Sequence, residues 1–254
     1  MLLRVKNLKK SFKENIVFND ISFNVGKGEV IAILGRSGCG KSTLLRCING
    51  LEQIEEGGIY LNETLITESN AKYKHWSEIR KKIGMVFQSY DLFPHMNVLN
   101  NIILGPMKVE KRSKEDATKE AFKHLERVGL LEKKLNYPRE LSGGQKQRAA
   151  ICRALCMNPE IILFDEVTAA LDPEMVREVL EVIKGLKEQG LTMIVVTHEM
   201  AFAEKVADRI IFMENGKIVE TNTPDIFFSS PNTVEARRFL NLSDNYVIFL
   251  NQGE

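Results

Sequence analysis

Val30-Ile-Ala-Ile-Leu34, followed at once by Gly35-Arg-Ser-Gly-Cys-Gly-Lys-Ser42-Thr43, decides how this 254-residue chain is read. Five apolar residues in a row have the length and composition of a buried parallel strand. The nine that follow fit G-x-x-x-x-G-K-[ST] and open an expected helix over Ser42–Asn49, with Gly50 placed for a left-handed C-cap. Gly35, Gly38 and Gly40 let the backbone curl so that successive N–H groups face one point, and the helix adds its positive end. Phosphate oxygens fit such a concavity. Arg36, Ser37, Cys39 and Thr43 complete the cradle. Lys41 is expected to bridge the β- and γ-phosphates of a nucleotide, and the Ser42 hydroxyl to ligate Mg²⁺.

Outward from the cradle, strand-like runs alternate with helix-like ones, as in a largely parallel sheet covered by helices. Ile83–Phe87, Ile161–Phe164 and Met193–Thr197 read as further strands, and Pro173–Gln189 and Glu199–Ala207 as helices. Leu2–Leu8, Val17–Phe23 and Ile59–Ile66 alternate as half-exposed strands do and are expected to form an antiparallel side sheet. Residues 89–158 change to a helical texture; there Ser113 and Asp116 form a capping pattern for a helix that runs to Gly129. Arg209–Met213 and Lys217–Glu220 flank Asn215-Gly216, a hairpin turn pair. The expected division is 1–88 for the start of the core and the side sheet, 89–158 for a helical insert, 159–243 for completion of the core, and 244–254 for a tail of no assigned role.

Two further stretches carry chemistry. Ile161-Ile-Leu-Phe-Asp165-Glu166 is an apolar strand ending in two carboxylates. Asp165 is placed to hold the Mg²⁺ shell and Glu166 to take a proton from attacking water, though a strand running into a polar turn reads the same way. Leu141-Ser142-Gly143-Gly144-Gln145 offers a capping box between Ser142 and Gln145. The paired glycines are not explained by capping, since each costs about 1 kcal/mol against alanine inside a helix. Bare backbone at a helix start suits a closely approaching anion.

Taken in order, the cradle, Leu141–Gln145, Ile162–Glu166, Ala170-Leu-Asp172 and Thr197-His-Glu199 resemble the ATP-binding-cassette (ABC) ATPases over roughly residues 2–240. The resemblance implies an α/β P-loop NTPase (RecA-like) core with an antiparallel β subdomain and an inserted helical subdomain. It also implies two ATPase subunits paired head to tail, each ATP lying between the cradle of one and the Leu141–Gln145 signature of the other. Ser142, Gly143 and Gly144 then contact the γ-phosphate of the partner's ATP, with Gln145 closing the motif. Gln88 matches the glutamine that reaches Mg²⁺ and water, His198 the histidine on the γ-phosphate, and Asp172 the aspartate linking the two sites. Asp172 is equally a good N-cap before Pro173. Phe12 matches the aromatic that stacks on adenine; a phenylalanine buried in a small sheet is the competing reading. Val167 departs from the family's usual proline.

The family further implies transmembrane permease subunits on other chains, with Tyr90, Leu92, Phe93 and Met96 as a docking patch or an ordinary core cluster. Gly84–Gln88, Leu92–Met96, Leu104–Pro106, Asn158-Pro159 and Val196–Ala203 are similar to the polar amino-acid importers. That subgroup also has an extracytoplasmic solute-binding protein and sets the ATPase on the cytoplasmic membrane face. Another ABC importer, a lipoprotein or peptide exporter, a non-transport ABC protein and an idle nucleotide-binding regulator are the alternatives.

Composition narrows these. Thirty-five basic residues against 34 acidic ones give no electrostatic reason to expect nucleic acid. No apolar run nears the ~18–20 residues that span a bilayer, and Met1–Phe12 lacks the apolar core of a secretory signal. Cys39, Cys47, Cys152 and Cys156 form no CxxC pair and suit a reducing compartment.

Overall fold

The computed structural model describes residues 1–66 and 73–241. In chain order these hold β1 (Leu3–Phe12), β2 (Asn15–Val25), β3 (Val30–Gly35), α1 (Lys41–Ile48), β4 (Glu56–Leu61) and β5 (Thr64–Leu65). Next come α2 (Tyr73–Lys82), β6 (Ile83–Val86), α3 (Val98–Val109), α4 (Lys114–Arg127), α5 (Gly143–Leu155), β7 (Ile161–Asp165) and α6 (Pro173–Glu188). The chain closes with β8 (Thr192–Val196), α7 (Met200–Val206), β9 (Arg209–Glu214), β10 (Lys217–Asn222), α8 (Pro224–Ser229) and a helix over 234–241. It divides into two compact units, Met1–Ala71 with Ile194–Glu254, and Lys72–Met193. The expected tail 244–254 lies outside the described residues.

In the first unit a four-stranded antiparallel sheet runs β2-β1-β4-β5. The expected single strand Ile59–Ile66 is instead a hairpin: Asn62 and Glu63 take φ of 47° and 64°, and Tyr60 pairs with Leu65. Asparagine tolerates the left-handed region, so a two-residue turn forms here without glycine, within the polar run Asn62-Glu63-Thr64. Beside this sheet, β3 pairs in parallel with β9, and β9 pairs with β10 through the expected Asn215-Gly216 turn. Both turn residues have positive φ. Every residue of β3 is buried, as its unbroken apolar run requires.

In the second unit β6 pairs in parallel with β7, and α3, α4 and α5 enclose one apolar cluster that includes Val98, Ile102, Leu125, Leu130, Ala149 and Cys152. Ser113 caps α4 as expected by accepting from Asp116 N–H at 3.0 Å, while its hydroxyl donates back to the Asp116 carboxylate at 2.7 Å.

One rule ends three helices. After α1, α4 and α6 the glycines 50, 129 and 190 sit at φ of 71°, 67° and 75°. Each donates its N–H three residues back (to Cys47, Glu126 and Lys187), and the next residue's N–H reaches the carbonyl five back (Arg46, Leu125 and Leu186). These paired bonds satisfy carbonyls that the helix leaves open, and they need a residue without Cβ at the turn. The four cysteines are buried free thiols, and burial pushes Cys47 up to about 12 and Cys156 up to about 11.

The end of the first unit is fastened by one carboxylate. Glu220 of β10, 6% exposed, accepts from Asn222 Nδ2 at 2.7 Å, from the N–H groups of Asn232 and Thr233 at 2.9 Å each, and from Thr233 Oγ1 at 2.6 Å. Burial pushes its carboxyl up, but the four donors together outweigh burial and hold it below the usual range. A folded-state value below the unfolded one adds stability that is present at neutral pH and is lost as pH falls through the carboxylate range. Glu220→Gln is therefore expected to lower unfolding free energy by about 1.5–3 kcal/mol at pH 7.5. The deficit against wild type should shrink towards pH 4, read by urea unfolding at both pH values.

Candidate nucleotide site

The first unit holds the cradle. The loop after β3 turns through Gly35, Gly38 and Gly40 at φ of 152°, 80° and 102°, and α1 starts at Lys41. At Gly35 even a Cβ has no room, since it would lie 2.2 Å from the Met213 carbonyl oxygen and 2.9 Å from Cys39 Sγ. Arg36, Ser37 and Gly38 are exposed, whereas Cys39, Gly40 and Lys41 are buried, and Ser42 and Thr43 are half-buried. The buried Lys41 donates to the carbonyls of Gly35 at 2.9 Å and Arg36 at 3.1 Å, which folds the loop around its ammonium. No acidic residue occupies the first turn of α1, so its positive end is not neutralised by its own side chains. Cys39 adds packing and no nucleophile, for burial pushes its thiol up against the pull of Lys41.

Two more expected residues belong to this unit. Phe12 ends β1 with its ring 47% exposed, so the buried reading fails and an open aromatic face remains. His198 is exposed two residues beyond β8, in a turn where Thr197 Oγ1 accepts from Glu199 N–H at 3.0 Å.

The second unit holds the remaining candidates. Asp165 ends β7 with 5% exposure. Glu166 follows at φ 48°, a left-handed conformation that costs a non-glycine residue about 1 kcal/mol or more. A turn holds it there: Ala169 N–H donates to Glu166 C=O and Leu171 N–H to Thr168 C=O, each at 3.1 Å. Val167 is buried beside it.

Ser142 caps α5 by accepting from Gln145 N–H at 3.3 Å, and Gln145 Oε1 accepts from Ser142 N–H at 3.1 Å, so the capping box is real. The glycines have a reason inside the chain as well. A Cβ on Gly143 would sit 2.8 Å from Leu171 Cδ2 and 3.1 Å from the Tyr90 hydroxyl, and one on Gly144 2.9 Å from Met175 Cβ. Asp172 caps α6 by accepting from Met175 N–H at 3.0 Å, with Pro173 as the first helical residue. The signature, Tyr90 and the segment from Leu171 to Met175 are therefore packed together.

Gln88 is exposed on the turn after β6, and the next loop is pinned by residues that sequence reading passed over. Gln147, fully buried on α5, donates to Phe87 C=O at 3.3 Å. Arg153, also on α5, donates to Tyr90 C=O at 3.1 Å and to Asp91 C=O, and both of those residues have positive φ. Burial lowers the Arg153 guanidinium's affinity for its proton. Fully buried Asn101 of α3 accepts from Phe93 N–H at 2.7 Å and donates to the carbonyls of Phe93, Met96 and Asn97 at 3.0–3.1 Å. Polar residues on the buried faces of α3 and α5 were the available signal. Their partners are loop carbonyls, which leave no mark in sequence.

In the first unit Ser42 offers a hydroxyl, and in the second Asp165 and Gln88 offer a carboxylate and an amide oxygen, all of them the hard oxygen donors that Mg²⁺ takes.

Comparison with known proteins agrees with this chemistry. Residues 18–169 match the family described as ABC transporter. The arginine transport ATP-binding protein ArtM of Bacillus subtilis is 52% identical over 239 residues, 94% of this chain and 98% of that protein. The glutamate/aspartate import ATP-binding protein GltL of Escherichia coli is 48% identical over the same shares. The dimeric, post-hydrolysis structure of the ATP-binding cassette MJ0796 bound to ADP and Pi superposes with a TM-score of 0.79 at 33% identity, covering 88% of this chain and 99% of that one. An α/β chain with a phosphate cradle, a strand-end carboxylate pair and a glycine-paired signature helix thus belongs to the ABC transporter family, as one of its ATP-binding, ATP-hydrolysing subunits.

Proposed function

We propose that this ATPase powers import of polar amino acids through permease subunits on other chains. Its similarity over nearly full length to relatives named for arginine and glutamate/aspartate transport carries that reading. No helix among the described residues is long and apolar enough to cross a membrane, which fits a subunit seated peripherally on the cytoplasmic face. A solute-binding protein outside the membrane completes such a system. The 88–97 loop is the proposed permease dock: Phe93 is 43% exposed and Tyr90 and Met96 are half-buried, on a backbone fixed by Arg153 and Asn101. Leu92 instead packs on the helical core, so it supports the loop from behind.

In the proposed cycle two copies pair head to tail. The cradle residues Gly35–Thr43 wrap the phosphates of one ATP, Phe12 stacks on its adenine, and the partner's signature, Ser142–Gln145, approaches the γ-phosphate. Ser42, Asp165 and Gln88 are the proposed Mg²⁺ donors, and the ion they would hold would supply charge neutralisation at the phosphates. Glu166 orients the attacking water and accepts its proton, while Lys41 and His198 stabilise charge on the γ-phosphoryl oxygens. Asp172 links the two sites across the pair. ATP closes the dimer because the γ-phosphate gains contacts from both copies that ADP cannot make, and only that difference can do work on the permease.

Glu166→Gln should lower steady-state phosphate release by roughly 10²–10⁴, leave ATP binding intact, and yield an ATP-dependent dimer by light scattering. Hydrolysis at the wild-type rate would remove Glu166 from its role. Lys41→Ala should weaken Mg·ATP binding in calorimetry by at least about tenfold, as expected for loss of a charge-assisted phosphate contact; unchanged affinity would overturn the cradle assignment. For the transported solute, the decisive measurement is which permease and binding protein co-purify from detergent-solubilised membranes. A partner set carrying no amino-acid site would sink the import reading.

A further inference from the structure

Phe12 does not stand alone. Lys10, two residues earlier on β1 and therefore on the same side of the strand, is 8% exposed, and its ammonium lies 4.4 Å from the centre of the Phe12 ring. The same ammonium also meets the Glu52 carboxylate at 3.3 Å. Glu52 is held in turn: its N–H donates to Arg46 C=O at 3.2 Å, just past the glycine turn that ends α1. A continuous path thus runs from the phosphate cradle along α1 to Glu52, from there to Lys10, and on to the ring. The eight residues of α1 span about 12 Å, and the path fixes the ring relative to the cradle that opens the same helix.

A buried lysine is costly unless paired, and this one is paired with a carboxylate and a ring face. Neither partner is needed for the strand, which would accept an apolar residue at this position. A cation on one face of a phenyl ring draws π-density towards itself. The opposite face becomes less electron-rich, which favours stacking with an electron-rich purine. It also holds the ring against rotation away from the nucleotide.

We propose that Lys10, anchored by Glu52, is a positioning residue for the base: it sets and polarises the Phe12 ring so that adenine stacks on the face Lys10 does not occupy. The inference rests on the proposed role of Phe12 as the adenine platform.

The test is calorimetry of the full-length protein with Mg·ATP and, as a probe that lacks base and sugar, Mg·tripolyphosphate. Lys10→Met is expected to weaken ATP about three- to tenfold and leave tripolyphosphate unchanged, while Lys10→Arg restores ATP binding. Phe12→Ala should also weaken ATP selectively, and adding Lys10→Met to it should cost nothing further, because the ring through which Lys10 acts is gone. If Lys10→Met does not fold, Glu52→Gln, which releases the ammonium without emptying its place, should show the same selective loss. Lys10 is excluded as a positioning residue if ATP affinity is unchanged, if tripolyphosphate weakens equally, or if the two losses add in full. A Phe12→Ala protein with wild-type ATP affinity overturns the platform itself, a result distinct from failure of Lys10 alone.

Discussion

A triphosphate carries several negative charges in a small volume, and a protein interior can hold it only if donors already point at one place. In the proposed cradle this constraint falls largely on the backbone, for nothing bulkier fits at Gly35. Much else follows from that. The strand leading in must be buried so that its end is fixed, which is why β3 is apolar throughout. The helix leading out must start immediately, so that its N–H groups join those of the loop. Lys41 must be buried yet solvated by something, and the carbonyls of Gly35 and Arg36 provide it.

The second unit obeys a related rule for a different reason. Gly143 and Gly144 look in sequence like backbone bared for a ligand, but Leu171, Tyr90 and Met175 already crowd the places where their side chains would begin. The same two residues thus let α5 start against the Asp172 segment and leave its first turn thin. With the proposed approach of a partner's phosphate the two demands agree, since a helix start that an anion reaches from outside is best backed by closely packed structure within. Gln147 and Arg153 on the same helix hold the backbone on either side of Gln88, at Phe87 and at Tyr90. Tyr90, on the loop that Arg153 holds, also borders the place where a Gly143 side chain would begin, so loop and signature are packed together.

What could be read in the sequence was the chemistry whose parts are neighbours along the chain. The cradle, the capping box at Ser142, the N-cap at Asp172 and the Asn215-Gly216 turn all have partners within a few residues, so spacing alone discloses them. The Asn62-Glu63 turn was hidden because apolar residues flank it on both sides within the length of one strand and no glycine marks it. Asn101, Arg153, Glu220 and Lys10 were missed for another reason. Each is a buried or half-buried polar group satisfied by carbonyls, amides, a carboxylate or a ring, and each has a partner well outside its own turn or strand. Sequence shows that such a residue exists; only the fold shows what it holds.

Glu166 carries a strained backbone. Its φ of 48° is a cost that nothing in β7 requires, since the strand could end at Asp165 in an ordinary turn. The conformation persists because the 166–171 segment supplies two turn hydrogen bonds and buries Val167. Proline at 167 would limit the preceding residue's backbone by steric contact. With valine there, that limit is lifted and hydrogen bonding carries the restraint instead. Such a restraint can be released and remade, whereas a ring cannot. For the proposed role of Glu166 in meeting the attacking water, the restraint on its backbone therefore comes from the turn hydrogen bonds and the packing of Val167.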